Sequence, residues 1–574
     1  MLSARPATVP SQAIDWSGLG WMYLFFWYFS GITQLLLQFT GFVNFFPFGQ
    51  AAFMSLLWLV PPLLFPRRTR TIAALIGVVL WFFSLFSLGF FCIYKQEFSQ
   101  SVIFIIFESN QAEASEYVAQ YFVWWMLPAL MAYSAGAAWL WTRIRPVWLA
   151  RRQAAALSAL ILAFLFVFPL FKPLVIKGSS LEKAREELEE NMEPAVPWQM
   201  LIGYSQYRQQ LRNMQSLLEG NARIPPLANL QDSTAGLPAT LVLVLGESTN
   251  RQHMSLYGYP RPTTPQLDGM RDQLLVFEQV YAPRPFTIEV LQQVLTFADQ
   301  ENPDLYLTRP SLMNIMKQAG YQSYWITNQQ TMTKRNTMLT TFSRQTDKQY
   351  YLNFSRSQNS RQYDEVVLEP FQEILRDPEP RKFIVVHLLG THAKYEYRYP
   401  SAYARFSGRE GLPEALSSKQ VAVSNDYDNA VLYNDFVVSS LIRMLAAARL
   451  NSLLVYFSDH GEDVYDSTGH QVLGRSEGNP TLPMYAIPFI VWNSEQWRAA
   501  HPRTYPREVL DRRYSTSHFI HTWSDLVGLR FDDFDASKSL ISRDFKERAL
   551  LVGSPAQPGS LIDLRSMMPR PATR

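Results

Sequence analysis

Five long apolar runs dominate the first third of the chain. They cover residues 19–39, 51–65, 72–94, 121–141 and 154–171. A helix that crosses a bilayer needs about 20 apolar residues, so the second and fifth runs must include flanking residues or tilt little. Helices buried in a soluble core are the alternative, and the pattern favours five membrane-spanning helices.

Basic residues mark one side of these runs. Arginines follow the second run and lie between the fourth and the fifth, at Arg67, Arg68, Arg70, Arg143, Arg145, Arg151 and Arg152. Because positively charged loops stay in the cytoplasm, we predict a cytoplasmic N-terminus and an outer loop at residues 95–120. Five crossings then put everything after Lys172 on the outer side of the membrane.

The pattern changes after residue 171. Residues 172–236 contain a charged helical stretch, then a helical stretch with an apolar stripe, then a proline-rich linker. The stripe suits either the membrane surface or packing on a soluble domain. Its members are Trp198, Leu201, Ile202, Tyr204 and Leu211.

From residue 237 onwards, strand-like and helical stretches alternate. The strand-like runs are LVLVLG, LLVFEQVYA, YQSYWIT, FIVVHLL, SLLVYFSD, PFIVW and ALLVG. Such alternation predicts an α/β domain with a mostly parallel sheet between helices. We therefore divide the chain into a transmembrane domain (1–171), interfacial helices with a linker (172–236) and an α/β domain (237–574).

Composition excludes several classes of function. The net charge is only +3 and no basic tract with interleaved aromatic residues occurs, so nucleic acid is not a predicted partner. The single cysteine, Cys92, lies in an apolar run, so the α/β domain has no disulfide, thiol nucleophile or cysteine-based zinc site. The sequence contains no glycine-rich nucleotide-binding motif, which counts against nucleotide chemistry.

Acidic residues and histidines recur where predicted strands end or just beyond them. They are Glu247, His387, His392, Asp459, His460 and His470. Open α/β sheets place their chemistry at the carboxyl ends of the strands, so we expect several of these side chains to converge. Their oxygen and nitrogen donors predict a metal site, with zinc the leading candidate and manganese the alternative. On spacing alone, Glu247 is more often a solvated turn or helix-capping residue than a ligand.

Thr287 stands where a helical pattern begins, in PRPFTIEVLQQVL. One interpretation is an N-cap threonine, which contributes about 1 kcal/mol to stability. The other is a hydroxyl nucleophile whose ionised form a metal and the helix N-terminus would favour. The residues alone leave both open.

The predicted outer loop contains an acidic stretch, IFESNQAEASEY, with Glu108, Glu113 and Glu116. A helix at the membrane interface could present these carboxylates to an ammonium head group. A solvated helix face is the simpler interpretation, and spacing alone favours it.

Four motifs in a fixed order carry a family resemblance: GESTNRQHMSLYGYPRPTTP, PFT, HLLGTH and FSDHGED. With them, the chain resembles the sulfatase-like phosphoethanolamine transferases of the alkaline phosphatase superfamily. Stretches such as YKQEFSQSV, EASEY and SRQTDKQYY are most similar to members that modify heptose I of the lipopolysaccharide core. The resemblance implies a monomeric enzyme of the bacterial inner membrane, with its catalytic domain in the periplasm. It would transfer phosphoethanolamine from phosphatidylethanolamine to the lipopolysaccharide core.

The resemblance also implies roles for individual residues. One zinc ion, or two, would be bound by Glu247, Thr287, Asp459 and His460, with Thr287 the nucleophile that forms a phospho-threonine intermediate. His392 and His470 match histidines near the transferred phosphate or a second zinc. Ser109 and Glu113 match positions that recognise the ethanolamine head group, although the asparagine that often precedes them is Ile105 here.

Related functions remain as alternatives. Transfer to lipid A or another envelope glycan is one, but relatives that modify lipid A carry disulfides that this chain lacks. Phosphoglycerol transfer is another, which the acidic outer loop disfavours. A sulfatase needs a cysteine or serine in a C/S-x-P-x-R context, which PFTIEV does not provide. A non-catalytic membrane sensor or scaffold would not need all four zinc-site residues.

Overall fold

The computed structural model describes residues 15–39, 45–94, 124–172, 174, 181–220, 224–330, 341–353, 363–555 and 561–568. The chain forms two compact units, the first ending at Gln209 and the second beginning at Gln210. The division into three parts stays a prediction. The predicted outer loop 95–120, with Ser109 and Glu113, lies outside the described residues.

In the first unit, helices cover all or most of each of the five apolar runs. They are Trp16–Phe39; Phe45–Ser55, which continues through the 3-10 turn Leu56–Leu59 into Val60–Leu64; Thr69–Tyr94; Met126–Arg143; and Arg151–Leu162, which continues through the π-helical turn Ala163–Val167 into Phe168–Phe171. Two further helices are Leu181–Met192 and Trp198–Gly220, of which the second crosses the boundary between the units.

Among the described residues, four helices are long and apolar enough to cross a membrane. Three belong to the first unit: Pro47–Leu64, Pro66–Cys92 and Arg151–Phe171. In the fourth, Ser418–Ala448, 72% of the 18-residue apolar window is buried, and many of its side chains belong to the core of the second unit. A count of five spans therefore stays a prediction.

The surface of the first unit is rich in large apolar side chains. Leu75, Val78 and Met131 are 66%, 63% and 71% exposed. A soluble protein rarely exposes so many large apolar groups on neighbouring helices, whereas lipid-facing helices do. These side chains support a membrane location for the helices that carry them.

Seven strands of the described chain form the main sheet of the second unit. They are β1 (Ala239–Gly246), β2 (Leu274–Val276), β3 (Gln322–Gln330), β4 (Lys348–Asn353), β5 (Arg381–His387), β6 (Ser452–Ser458) and β7 (Phe489–Asn493). Their spatial order is β2-β7-β6-β1-β5-β3-β4. Strands β6, β1, β5, β3 and β4 are parallel, and β7 is antiparallel to both its neighbours. The predicted mostly parallel α/β sheet is confirmed.

Helices and short strand pairs surround this sheet. The helices are Pro265–Asp268, Thr287–Val294, Leu312–Gln318, Leu368–Arg376, Ser418–Ala448, Glu495–Ala500, Arg507–Leu510 and Phe519–Val527, with 3-10 turns between several of them. The short pairs join Gln231–Asp232 to Leu529–Arg530, Val280–Tyr281 to Tyr514–Ser515, Asp463–Val464 to Leu473–Gly474, and Leu551–Val552 to Ile562–Asp563.

Strand β1 lies in the middle of the sheet and is buried along its whole length. Leu241, Leu243 and Leu245 pack in the core on one face, and Val242 and Val244 pack in the core on the other. A strand covered on both faces needs apolar residues at every position, which explains the continuous run LVLVLG. The polar residue that ends this run is consequently fixed at the carboxyl edge of the sheet.

Candidate metal centre

Glu247 is the first residue after β1, and its carboxylate is buried and held by three donors. Oε1 accepts from the Ser248 hydroxyl at 2.8 Å. Oε2 accepts from the Thr287 hydroxyl at 3.0 Å and from the Gln329 amide at 3.2 Å. The main-chain carbonyl of Glu247 accepts from the Thr391 amide at 3.0 Å. These contacts fix the carboxylate, so Glu247 is not the solvated turn residue that its sequence context also allowed.

Asp459 and His460 directly follow β6, the parallel neighbour of β1. The register pairs Gly246 with Ser458, so Glu247 and Asp459 leave the sheet side by side. Asp459 Oδ1 accepts from the main-chain amides of Ser248 at 3.1 Å and His460 at 2.7 Å. Its Oδ2 is buried, lies 3.3 Å from His460 Nε2 and is close to the Thr287 hydroxyl. A buried carboxylate oxygen of this kind is a suitable ligand for a cation.

The His460 ring presents its second nitrogen to these carboxylates. Nδ1 lies 2.9 Å from the Gly461 carbonyl oxygen, which can only accept, so Nδ1 carries the proton. Nε2 lies 3.2 Å from Glu247 Oε1 and 3.3 Å from Asp459 Oδ2. Ligand atoms of the three residues all lie within 4.8 Å of one another. A histidine anchored through one nitrogen, with the other directed at two carboxylates, fits a metal ligand.

The pKa values of the three residues follow from burial and from the surrounding charges. Burial, with the Glu247 carboxylate, raises the pKa of Asp459 well above its usual range. Burial acts to raise the pKa of Glu247 too, but the surrounding groups, the Arg475 guanidinium among them, hold it well below its usual range. Burial and the Arg475 guanidinium lower the pKa of His460 to about 4. The imidazole is therefore neutral near pH 7, which is the form that binds a metal.

Thr287 is the first residue of the helix Thr287–Val294, and Phe286 is the N-cap. The interpretation of Thr287 as an N-cap residue is therefore wrong. Its hydroxyl donates to Glu247 instead of capping the helix, because the chain enters the helix with this side chain facing the carboxyl edge of the sheet. A buried hydroxyl beside three potential metal ligands is placed as a nucleophile would be.

The three remaining histidines of the sequence prediction differ in position. His392 is buried and is one of the groups that act to lower the pKa of Glu247, so it lies near the cluster. His470 has a left-handed backbone (φ 52), and its Nδ1 lies 2.5 Å from the Tyr465 carbonyl oxygen. His387, the last residue of β5, packs edge-on against Trp325 in the core, with ring centroids 6.1 Å apart. Burial lowers the pKa of His387 to about 4.

Two positions in the sequence motifs require glycine, because a main-chain oxygen from another segment lies too close to leave room for a side chain. A Cβ atom on Gly390, in HLLGTH, would lie 2.6 Å from the Glu247 carbonyl oxygen, and the φ of Gly390 is +55. A Cβ atom on Gly461, in FSDHGED, would lie 2.1 Å from the Pro483 carbonyl oxygen. Any side chain at either position would displace the loops that carry the cluster.

Arg475 completes the site, although no sequence pattern predicts its presence there. One of its terminal nitrogens contacts His460 Nε2 and lies 3.5 Å from Glu247 Oε1. Its Nε lies 3.2 Å from Glu462 Oε2, and Glu462 Oε1 accepts from the Tyr395 hydroxyl at 3.2 Å. Burial raises the pKa of Glu462 to about 7. Arg475 comes from a loop with no periodic pattern, so only tertiary contacts reveal its position.

A largely buried network of charged residues connects the loop after Glu247 to the long helix Ser418–Ala448. The ring nitrogens of His253 lie 2.6 Å from Asp428 Oδ1 and 2.9 Å from Asp466 Oδ1. Arg261 and the Tyr259 hydroxyl both donate to Asp428 Oδ2, at 2.7 and 3.0 Å. Burial alone would lower the pKa of His253, but Asp466 and Asp428 raise it to about 10. The segment 250–265 therefore supports the site through ionic contacts.

Replacing His253 with alanine should destabilise the second unit by roughly 3–5 kcal/mol, because the buried Asp428 and the half-buried Asp466 lose their shared cation. The native pKa of about 10 exceeds the unfolded value of 6.5. The stabilising contribution is therefore complete below pH 6.5 and is lost as the pH rises through 10. Thermal unfolding of the full chain between pH 6 and 10 measures both effects.

His501→Ala is the matched control for that experiment. His501 is half-buried, and its Nδ1 lies 3.1 Å from the main-chain oxygen of Trp497. We expect this variant to lose about 1 kcal/mol and to keep the decline in stability above pH 6.5. An unfolding temperature for His253→Ala equal to the wild type at pH 6 would contradict the assigned imidazolium.

Comparisons with known proteins extend over both units. A sulfatase family model matches residues 239–529. The chain is 53% identical over 553 residues to "Phosphoethanolamine transferase EptC" of Escherichia coli K12, which covers 96% of both chains. It is 52% identical over 555 residues to "Phosphoethanolamine transferase CptA" of Salmonella typhimurium, again over 96% of both.

Two solved structures are also similar. The C-terminal periplasmic domain of Escherichia coli EptC, crystallised in complex with Zn, is 57% identical with a TM-score of 0.59. The match covers 60% of this chain and 97% of that one. The integral membrane protein EptA from Neisseria meningitidis matches 91% of this chain and 98% of its own, with a TM-score of 0.61. At 18% identity, this second likeness concerns the fold alone.

Proposed function

Because the chain belongs to the phosphoethanolamine transferases of the sulfatase family, we propose that it transfers phosphoethanolamine from phosphatidylethanolamine to heptose I of the lipopolysaccharide core. The resemblance carried by the four sequence motifs is confirmed. The observation that carries the proposed chemistry is the buried cluster of Glu247, Asp459 and His460 with the Thr287 hydroxyl beside it.

Zinc is the cofactor that these donors fit. Glu247, Asp459 and His460 would hold the ion, and the Thr287 oxygen is a suitable fourth ligand. When bound, zinc favours the ionised threonine oxygen and neutralises charge on the phosphate. The Zn complex of the 57% identical domain supports this choice of metal. A second zinc ion would need His392 and His470 as ligands.

Thr287 acts as the nucleophile in a two-step transfer. Its oxygen attacks the phosphorus of the donor, so an O–P bond forms and the bond from phosphorus to the diacylglycerol oxygen breaks. In this step the Thr287 hydroxyl loses its proton, which points at Glu247 Oε2 in this structure, and the departing glycerol oxygen gains a proton. An oxygen of the acceptor then attacks the phospho-threonine and releases Thr287. His392 and His470 pass protons or face the charge on the phosphate.

Head-group recognition is assigned to Ser109 and Glu113, which lie outside the described residues. A carboxylate suits the ammonium of ethanolamine, and a hydroxyl can accept a hydrogen bond from it. These properties, with the resemblance of the stretch EASEY, support the assignment.

We place the helices of the first unit in a bacterial inner membrane and the catalytic unit in the periplasm, as a monomer. The apolar helices Pro47–Leu64, Pro66–Cys92 and Arg151–Phe171 support the membrane location. The arginine-rich loops of the sequence support the orientation. The division into residues 1–171, 172–236 and 237–574 belongs to the same proposal.

The acceptor can be identified by mass spectrometry of lipopolysaccharide from a strain that lacks this protein and from the complemented strain. Core oligosaccharide and lipid A are released and measured separately. We expect complementation to add one phosphoethanolamine to the core, on heptose I, and to leave lipid A unchanged. Modified lipid A would contradict the acceptor, and a phosphoglycerol adduct would contradict the donor.

A further inference from the structure

Arg475 occupies a position among the proposed metal ligands. Its side chain is 14% exposed, and its guanidinium contacts His460 Nε2 and approaches Glu247 Oε1 to 3.5 Å. Those two atoms are among the ones that a metal ion at the cluster would use. A guanidinium carries a permanent positive charge and no lone pair, so it competes with a metal ion and cannot ligate one.

A second set of contacts holds Arg475 from the other side. Its Nε lies 3.2 Å from Glu462 Oε2, and Glu462 is anchored by the Tyr395 hydroxyl at 3.2 Å. The Arg475 Cζ also lies 6.0 Å from the centre of the Phe286 ring, and Phe286 directly precedes Thr287. Neither contact involves a proposed metal ligand. The guanidinium therefore has an anchor beside the nucleophile that a metal ion would leave intact.

We propose that Arg475 binds the phosphoryl group that is transferred through Thr287, an inference that rests on the proposed function. With a cation at Glu247, Asp459 and His460, the guanidinium loses its contact with His460 but remains anchored by Glu462. Its N–H groups would then be available to a phosphate bound at Thr287, the residue after Phe286. A guanidinium fork matches two oxygens of a phosphate, and it stabilises the charge that these oxygens carry in the transition state.

A purely structural role for Arg475 gives the opposite expectation for the metal. If the guanidinium only neutralised Glu247 and Glu462, its removal would loosen the loops and weaken zinc binding together with activity. If it binds phosphate and competes with the metal, its removal tightens zinc binding while it slows transfer. The sign of the change in zinc affinity separates the two roles.

The test uses the full chain in detergent with Arg475→Gln and Arg475→Lys. We measure the Kd for zinc by chelator competition, binding of inorganic phosphate to the zinc-loaded protein, and the rate of transfer to lipopolysaccharide. For Arg475→Gln we expect zinc to bind roughly tenfold more tightly, phosphate more weakly and transfer about 100-fold more slowly. Arg475→Lys keeps the charge but loses the fork, so we expect near-normal zinc affinity with slowed transfer.

Arg381→Gln is the matched control. Arg381 forms a partly buried pair with Asp232 at the start of β5, the opposite end of the strand from the site. The Arg381→Gln variant should leave the zinc Kd, phosphate binding and transfer rate unchanged. Weaker zinc binding by Arg475→Gln, or unchanged phosphate binding and transfer, would overturn the inference. If the wild type does not transfer phosphoethanolamine, the proposed function fails, and the zinc and phosphate measurements still decide the role of Arg475.

Discussion

Thr287→Ala should abolish phosphoethanolamine transfer, with a loss of at least about 10⁴-fold, while the protein still binds zinc. The substitution removes the attacking oxygen but keeps the three side chains whose ligand atoms lie within 4.8 Å of one another. Intact-protein mass spectrometry after incubation with phosphatidylethanolamine should show a phosphoethanolamine adduct on the wild type and none on the variant. Lipopolysaccharide from the variant strain should lack the modification.

Thr296→Ala provides the control for that loss. Thr296 is also a buried threonine, but it lies just after the C-terminal end of the helix Thr287–Val294. Its hydroxyl donates to the Gln292 carbonyl oxygen in that helix. We expect this variant to lose about 1 kcal/mol of stability and to keep both the adduct and the transfer. Transfer by Thr287→Ala, or an adduct on another residue, would show that a different group is the nucleophile.

Asp459→Asn should lower zinc affinity by at least about 100-fold and abolish transfer with it. Asn keeps an oxygen to accept from the amides of Ser248 and His460, at 3.1 and 2.7 Å, so the loop should fold as before. It replaces Oδ2, which lies 3.3 Å from His460 Nε2, with an NH₂ group, which cannot bind a cation. Zinc content by elemental analysis and Kd by chelator competition measure the effect.

The corresponding control is Asp466→Asn, which alters a carboxylate of the charge network. Asp466 lies 2.9 Å from His253 and outside the three-residue cluster. We expect lower thermal stability with zinc still bound at one ion per chain. If Asp459→Asn retained zinc with wild-type affinity, the ion would have to bind elsewhere.

The sheet edge that carries the site was predictable from sequence for a local reason. A continuous apolar run fixes where a buried strand ends, and Glu247 and Asp459 each stand directly after such a run. Adjacency of β1 and β6 then brings both carboxylates together. The hydroxyl of Thr287 was harder to interpret, because a threonine at a predicted helix start fits an N-cap as well as a nucleophile, and only its hydrogen bond to Glu247 shows that it does not cap the helix.

Other parts of the fold give no such local signal. The strand Lys348–Asn353 lies at the sheet edge with mostly half-buried residues, so its sequence, KQYYLN, lacks an apolar run. The run ALLVG forms only a two-residue pair outside the main sheet. Strand β7 is antiparallel although PFIVW resembles its parallel neighbours, because side-chain pattern does not encode strand direction. Arg475 reaches the site from an irregular loop, so its role depends on contacts distant in sequence.

The charge network around His253 has a consequence for how the second unit reaches its native state. Many proteins exported across a membrane depend on disulfides, but the one cysteine of this chain is Cys92, in the first unit. Here His253, Asp428 and Asp466 connect loops of the site to the long helix Ser418–Ala448 through ionic contacts. Folding of this unit therefore does not depend on thiol oxidation, and reductants should leave these ionic contacts intact.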